Sequence, residues 1–145
     1  MKTLYLLAIV KAAIAHFTLD YPYSLGFDDD KEPTAPCGGF EISFNGTANI
    51  TNFPLSGGFI SIDTHHPASN FTYNIALEGD IDNFKPILPK VVETGIGELC
   101  IRTDRLNESW EGKRGVLQVV GDGPDGVLYQ VSSKLLPHKF ALHNG

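Results

Sequence analysis

Asn70-Phe71-Thr72-Tyr73-Asn74-Ile75-Ala76-Leu77 is the stretch that decides the fold. Its large apolar side chains, Phe71, Tyr73, Ile75 and Leu77, fall at every second position, and the residues between them are small or polar. Successive side chains of a strand point to opposite faces, so this pattern reads as a strand with one face in a core. Shorter runs of the same kind occupy residues 16–21, 39–44, 58–63, 98–103, 116–120 and 127–131. Turns rich in Gly, Pro, Asn and Asp separate them. No segment carries a long helical period, and residues 80–90, with Pro86 and Pro89, read as a loop. About seven short strands in one small domain predict an all-β fold, an immunoglobulin-like (fibronectin III-like) β-sandwich.

Residues 1–15 read as a secretory signal peptide. Lys2 supplies the positive start, Leu4 to Val10 a short apolar run, and Ala13-Ile14-Ala15 the small residues that a signal peptidase needs. Lys11 is an imperfection, and the run is too short to span a bilayer. Export has a second line of support. Asn45, Asn49, Asn70 and Asn107 each stand in an Asn-x-Ser/Thr glycosylation acceptor, half of the eight asparagines, where chance gives roughly one. The net charge is −6, and −8 once Lys2 and Lys11 leave with the signal. Such a chain offers no basic stripe to a phosphate backbone, which argues against nucleic acid as a partner. The acidic run Asp28-Asp29-Asp30 reads as a solvated loop.

Two cysteines in an oxidising compartment ordinarily pair, which predicts a Cys37–Cys100 disulfide closing a loop of about 60 residues. No Cys-x-x-Cys spacing suggests zinc. Hydrolase signatures are missing too: there is no Gly-x-Ser-x-Gly elbow. Gly121-Asp-Gly-Pro-Asp-Gly126 fits a β-turn better than a calcium loop, since the remaining EF-hand ligands are absent.

The chemistry concentrates at His16. Cleavage after Ala15 makes it the first residue of the mature chain. A terminal histidine chelates a metal through its free amine and its imidazole Nδ1. A second imidazole then completes a T-shaped set of three nitrogens, the histidine brace. Such nitrogen donors suit Cu(II), at the top of the divalent affinity order. The second imidazole is expected from the His65-His66 pair, which follows a strand and precedes the rigid Pro67. If the strand alternates through this segment, His65 shares a face with Asp63 and His66 does not.

The stretch His16-Phe-Thr-Leu-Asp-Tyr-Pro22, followed by Leu25-Gly-Phe-Asp-Asp-Asp30 and Ala35-Pro-Cys-Gly-Gly39, resembles the fungal copper acquisition factor family, whose members are similar to lytic polysaccharide monooxygenases. Phe53-Pro-Leu-Ser-Gly-Gly58, Asp63-Thr-His-His-Pro67, Gly97-Glu-Leu-Cys100 and Gly126-Val-Leu-Tyr-Gln130 extend the match over residues 16–130. Each piece is weak alone; their joint order is specific. The resemblance implies an immunoglobulin-like sandwich holding one copper ion in a brace of His16 and His66. It implies copper acquisition or homeostasis at the cell surface, without oxidative sugar cleavage. A copper transporter and the cell wall are the implied contacts, and a GPI anchor is frequent in the family, although this chain shows no anchor signal.

The match falters after Gln130. The family usually continues Cys-Ala-Asp, and here Val131-Ser-Ser133 follows. Residues 131–145 read either as a true variant with an incomplete or altered last strand, or as translated intron in a faulty gene model. Sequencing the transcript across codon 131 decides between them. The family pattern implies four cysteines, of which the one after Gln130 and one in the tail are missing. If those two normally pair, Cys37–Cys100 survives; the other pairing orphans both. The missing aspartate leaves Asp63 as a substitute carboxylate near the metal. The competing functions are a copper-dependent polysaccharide monooxygenase, and a wall glycoprotein whose metal binding is incidental. Trp110, the only tryptophan, has no assigned place beside His16.

Overall fold

The computed structural model describes residues 16–45, 50–124 and 126–136. The signal segment, Asn49, His138 and His143 lie outside these residues. Nine strands follow in order: β1 (Phe17–Tyr21), β2 (Thr51–Asn52), β3 (Phe59–Thr64), β4 (Ala68–Leu77), β5 (Lys85–Pro86), β6 (Val91–Thr94), β7 (Gly97–Arg102), β8 (Arg114–Gly123) and β9 (Gly126–Leu135). A 3-10 turn at Glu108–Trp110 precedes β8. They make two sheets, one ordered β1-β3-β7 and the other β2-β9-β8-β4-β5, with β6 on the same edge of β4 as β5. The chain is therefore all-β and built as a two-sheet sandwich.

The opening stretch behaves as its alternation requires. Phe71, Tyr73 and Ile75 of β4 are buried, and they pair across to Gly121, Val119 and Leu117 of β8. These side chains meet Phe17, Leu19, Ile60 and Ile62 of the smaller sheet in one core, which Phe53, Leu55, Leu106 and Leu136 complete. Gly121 lacks a side chain because there is no room for one. A Cβ there would stand 2.9 Å from the Phe71 ring and 3.0 Å from the Phe17 ring. The two rings meet edge to face at 5.2 Å, a favoured aromatic geometry.

The large sheet is also covered on its outer face. Val116 and Val131 form a second apolar cluster with Cys37, against which Leu25, Phe40, Ile42, Phe44 and Phe84 pack. This corrects the strand expected at residues 39–44. The alternation of Phe40, Ile42 and Phe44 is real, but the segment lies on a sheet face and makes no ladder. The expected loop at 80–90 contains the two-residue strand β5, and β6 begins directly after it. The expectation of an incomplete last strand is also corrected. β9 pairs with β8 without interruption from Gly126 to Leu135. The Gly121–Gly126 segment closes this hairpin, with Gly123 opposite Gly126, so it is a turn as expected.

The structure shows Cys37 and Cys100 as free thiols, unlike the expected pair. Cys37 is buried under the cover on the outer face of the large sheet. On β7, Leu99 and Ile101 pack on the core while Cys100 between them points outward and is exposed. The two sulfurs thus stand outside opposite sheets. Packed sheets lie about 10 Å apart and a disulfide needs Cα atoms within about 7 Å, so this arrangement argues against the bond. Cys37 packs instead against Val131.

Candidate metal centre

His16 directly precedes β1, and Phe17 pairs with Thr64 at the end of β3. The next ladder bond runs from the His65 amide to the His16 carbonyl at 3.1 Å. Register alone therefore brings residue 16 level with the turn that follows β3. In that turn the Thr64 hydroxyl accepts from the His66 amide at 3.3 Å, bending the chain toward β4 in the other sheet. His66 sits in this sheet-to-sheet crossing and turns inward, 8 % exposed, like His16. The two histidines line one small cavity of about 10 Å³ with Phe17, Thr64, Ser69, Phe71, Gly121, Gly123 and Leu128. Gly123 is bare where the His66 ring lies; a Cβ there would stand 3.4 Å from its Cδ2.

His65 goes the other way. Its side chain is about half exposed, and Nε2 lies 3.6 Å from Asp63 on the outer face of the small sheet. The shared face expected for His65 and Asp63 is observed, and neither lines the cavity. Asp63 is thus not the substitute carboxylate.

The carboxylate that does meet His16 is one the sequence did not single out. Glu32 is 1 % exposed, and its Oε2 lies 2.5 Å from His16 Nδ1. Gln130 Nε2 donates to its other oxygen at 3.2 Å, and Ser24 Oγ in turn donates to Gln130 Oε1 at 2.9 Å. The Glu32 backbone is pinned as well: its carbonyl accepts from the Tyr129 amide at 2.9 Å. Burial pushes the Glu32 carboxyl above its ordinary range, against the lowering pull of the Gln130 and His16 hydrogen bonds. The Phe27 ring meets His16 edge-on at 5.9 Å and covers it. Nothing in the run Asp-Asp-Asp-Lys-Glu32 signals burial, because the partners of Glu32 lie 16 and 98 residues away. The only trace was Gln130 itself, the last residue of the matching motifs.

Among the described residues, no three His, Cys, Asp or Glu side chains form a ready metal cluster. A brace asks for less: two imidazoles and a main-chain amine. The two imidazoles line one cavity, and a freed His16 amine would add a third nitrogen. The donor chemistry therefore fits Cu(II). Trp110 lines a separate cleft with Lys85, Pro86, Ile87, Arg105, Leu106 and Asn107, away from the histidines. Of the acceptor asparagines, Asn45 and Asn107 are exposed and Asn70 is half-buried on β4.

Fold and cavity together define a β-sandwich with a paired-histidine site at one end of its sheets. The profile of the copper acquisition factor BIM1-like family matches residues 14–132, and the chain belongs to that family. It is 36 % identical over 142 residues to the copper acquisition factor BIM1 of Cryptococcus neoformans var. grubii, covering 88 % of this chain and 63 % of that protein. An uncharacterised protein of Aspergillus fumigatus is 34 % identical over 136 residues, covering 86 % and 54 %. A lytic polysaccharide monooxygenase-like protein of Yarrowia lipolytica is 28 % identical over 144 residues, covering 89 % and 52 %. The chain thus spans between about half and two thirds of the length of these relatives.

Proposed function

We propose that this protein is exported, loses residues 1–15, and binds one copper ion through the His16 amine, His16 Nδ1 and the His66 imidazole. The observation that carries the reading is the convergence of His16 and His66 in one ion-sized cavity. His66 and not His65 is the second imidazole, because His65 stands by Asp63 on the other side of the chain. The sandwich is of the immunoglobulin type, and Asn45, Asn49, Asn70 and Asn107 carry glycans. The role is copper acquisition or homeostasis at the cell surface, with a copper transporter as recipient and the cell wall as neighbour. The naming of the Cryptococcus relatives as copper acquisition factors supports this.

The protein works as a carrier and not as a polysaccharide oxidase. The naming of the Cryptococcus relatives as copper acquisition factors supports this too, and Trp110 lines another cleft. Copper titration of protein that begins at His16, followed by EPR, tests the reading. One ion per chain with nitrogen hyperfine structure is the expected result. Acetylating the His16 amine is expected to abolish tight binding; unchanged affinity would overturn the brace. Soluble oxidised oligosaccharides from chitin or glucan, given a reductant, would overturn the carrier role.

A further inference from the structure

We infer that the cleft beside Trp110 is the seat of a glycan carried by this chain's own Asn107, whose first N-acetylglucosamine lies over the indole. The inference rests on the reading above that Asn107 carries a glycan, and deepens it by saying where that sugar goes. The 3-10 turn at Glu108–Trp110 places the two residues together. The Trp110 amide donates to the Asn107 carbonyl at 3.0 Å. Side chains three apart in such a turn eclipse one another, so residues 107 and 110 stand on one side of it. Both line the same cleft, of about 310 Å³. That volume lies at the lower end of the roughly 300–1,000 Å³ of small-molecule sites, room for a small saccharide.

The acceptor side chain is held, and the cleft is fixed from two sides. Asn107 is exposed, and its Oδ1 accepts from the Ser109 amide at 2.9 Å. That bond holds the side chain by its oxygen, and a glycan is carried on its nitrogen. Leu106, 5 % exposed, anchors the turn: its amide donates to the Leu55 carbonyl at 2.7 Å. On the β5 side, the Ile87 amide donates to the Tyr73 carbonyl at 2.9 Å. Trp110 packs on the core and is only partly buried, which leaves part of the indole to the cleft. A pyranose presents C–H groups on its flat faces, which suit an aromatic ring. Its hydroxyl and acetamido groups suit the Lys85 and Arg105 donors of the same cleft. A tethered sugar meets the ring at an effective concentration on the order of millimolar, so a weak contact is enough to seat it. Asn70 differs: it borders a depression walled by Ala68, Ser69, Val92, Asp122, Gly123 and Pro124, without an aromatic ring.

The test uses the full chain secreted from a yeast host, with Trp110, the only tryptophan, as the reporter. An endoglycosidase trims the glycans to one N-acetylglucosamine per site, and mass spectrometry reads which asparagines carry one. Ser109→Ala removes the acceptor motif while keeping Asn107 and the indole. Acrylamide is expected to quench Trp110 fluorescence less in the trimmed wild type than in Ser109→Ala. By NMR, one N-acetyl methyl of the wild type is expected to show an upfield ring-current shift, and the variant to lack it. If Asn107 carries its sugar, yet quenching matches the variant and no methyl is shifted, the glycan extends into solvent and the inference alone fails. If Asn107 carries no sugar, the glycosylation reading of this site falls and the inference falls with it. Protection of Trp110 by added chitobiose, but not by the attached sugar, makes the cleft a site for a free saccharide and overturns the inference as well. The methyl shift is read in unsubstituted protein, so misfolding of the variant does not mask the answer.

Discussion

The two faces of the large sheet are covered in different ways. The inner face meets the small sheet, strand against strand, through Phe71, Tyr73, Ile75, Leu117 and Val119. The outer face meets an irregular run of chain that lays Leu25, Cys37, Phe40, Ile42 and Phe44 on Val116 and Val131. The site joins both worlds: His16 and His66 come from strand ends, and Glu32 comes from the cover. Residues placed by ladder register are placed locally and early in the chain of causes. Residues placed by a cover depend on contacts that the segment makes with distant strands.

The sharpest break in this comparison is His66→Ala against His65→Ala. Under the proposed reading the first is expected to lose copper binding by 100-fold or more, and the second to change it less than about threefold. Calorimetric titration with Cu(II) of chains starting at His16 measures both. Next comes the inner face. Phe71→Ala is expected to cost about 3–5 kcal/mol, because the ring is buried between Phe17 and the strands. Denaturant unfolding reads this out.

The cover is expected to be weaker, and Gly38 is where it is attached. Gly38 has φ +60°, and a Cβ there would collide with the Tyr129 carbonyl of β9. Gly38→Ala should cost about 3 kcal/mol in unfolding experiments and loosen Glu32 along with Cys37. The thiols sharpen the same contrast. Burial, helped by the charge of Asp82, raises the Cys37 thiol above its ordinary value of 9.0. In native protein a thiol reagent should titrate Cys100 quickly and Cys37 only after unfolding. Because the unfolded Cys37 ionises first, its share of stability is intact below pH 9 and fades as pH rises above it. No reactive thiol at all would revive the Cys37–Cys100 bond.

The smallest effect concerns the far end of the cover. Arg114 donates to Glu78 at 2.7 and 2.6 Å, donates to the Phe44 carbonyl at 2.8 Å, and stacks over the Phe44 ring. The ion pair is more than one-third exposed on both sides, so Glu78→Gln should cost about 0.5 kcal/mol. A cost several times larger would mean that the cover is held at Phe44 more firmly than at Gly38.

These differences also explain what the sequence disclosed. The strand at 70–77 and the long hairpin partners were legible, because period-two alternation is written in neighbouring residues. The same pattern misled at 39–44, since alternation shows that one face is buried and not what buries it. β2, β5 and β6 are two to four residues long, too short to carry a period. At the site, chelate chemistry singled out His16 and the His65-His66 pair, and ladder register brings residue 16 level with that turn. Glu32 was not, because its burial is a property of Gln130 and His16 and not of its neighbours. The cysteines were hard to read for a similar reason: two sulfurs say nothing of the two sheets that lie between them.

The backbone bond between His65 and the His16 carbonyl has one more consequence. It secures residue 16 by its carbonyl side. A leader cut one residue too early would therefore leave the sandwich intact and as stable as before. Its amine would simply sit one residue away from where the brace needs it. Cellular surveillance of folding reads exposed core and strand edges, and here it would find neither. Under the proposed processing and brace, a single slip of the peptidase would yield well-folded molecules that are blind to copper, a defect visible to mass spectrometry and to copper titration but not to a chaperone.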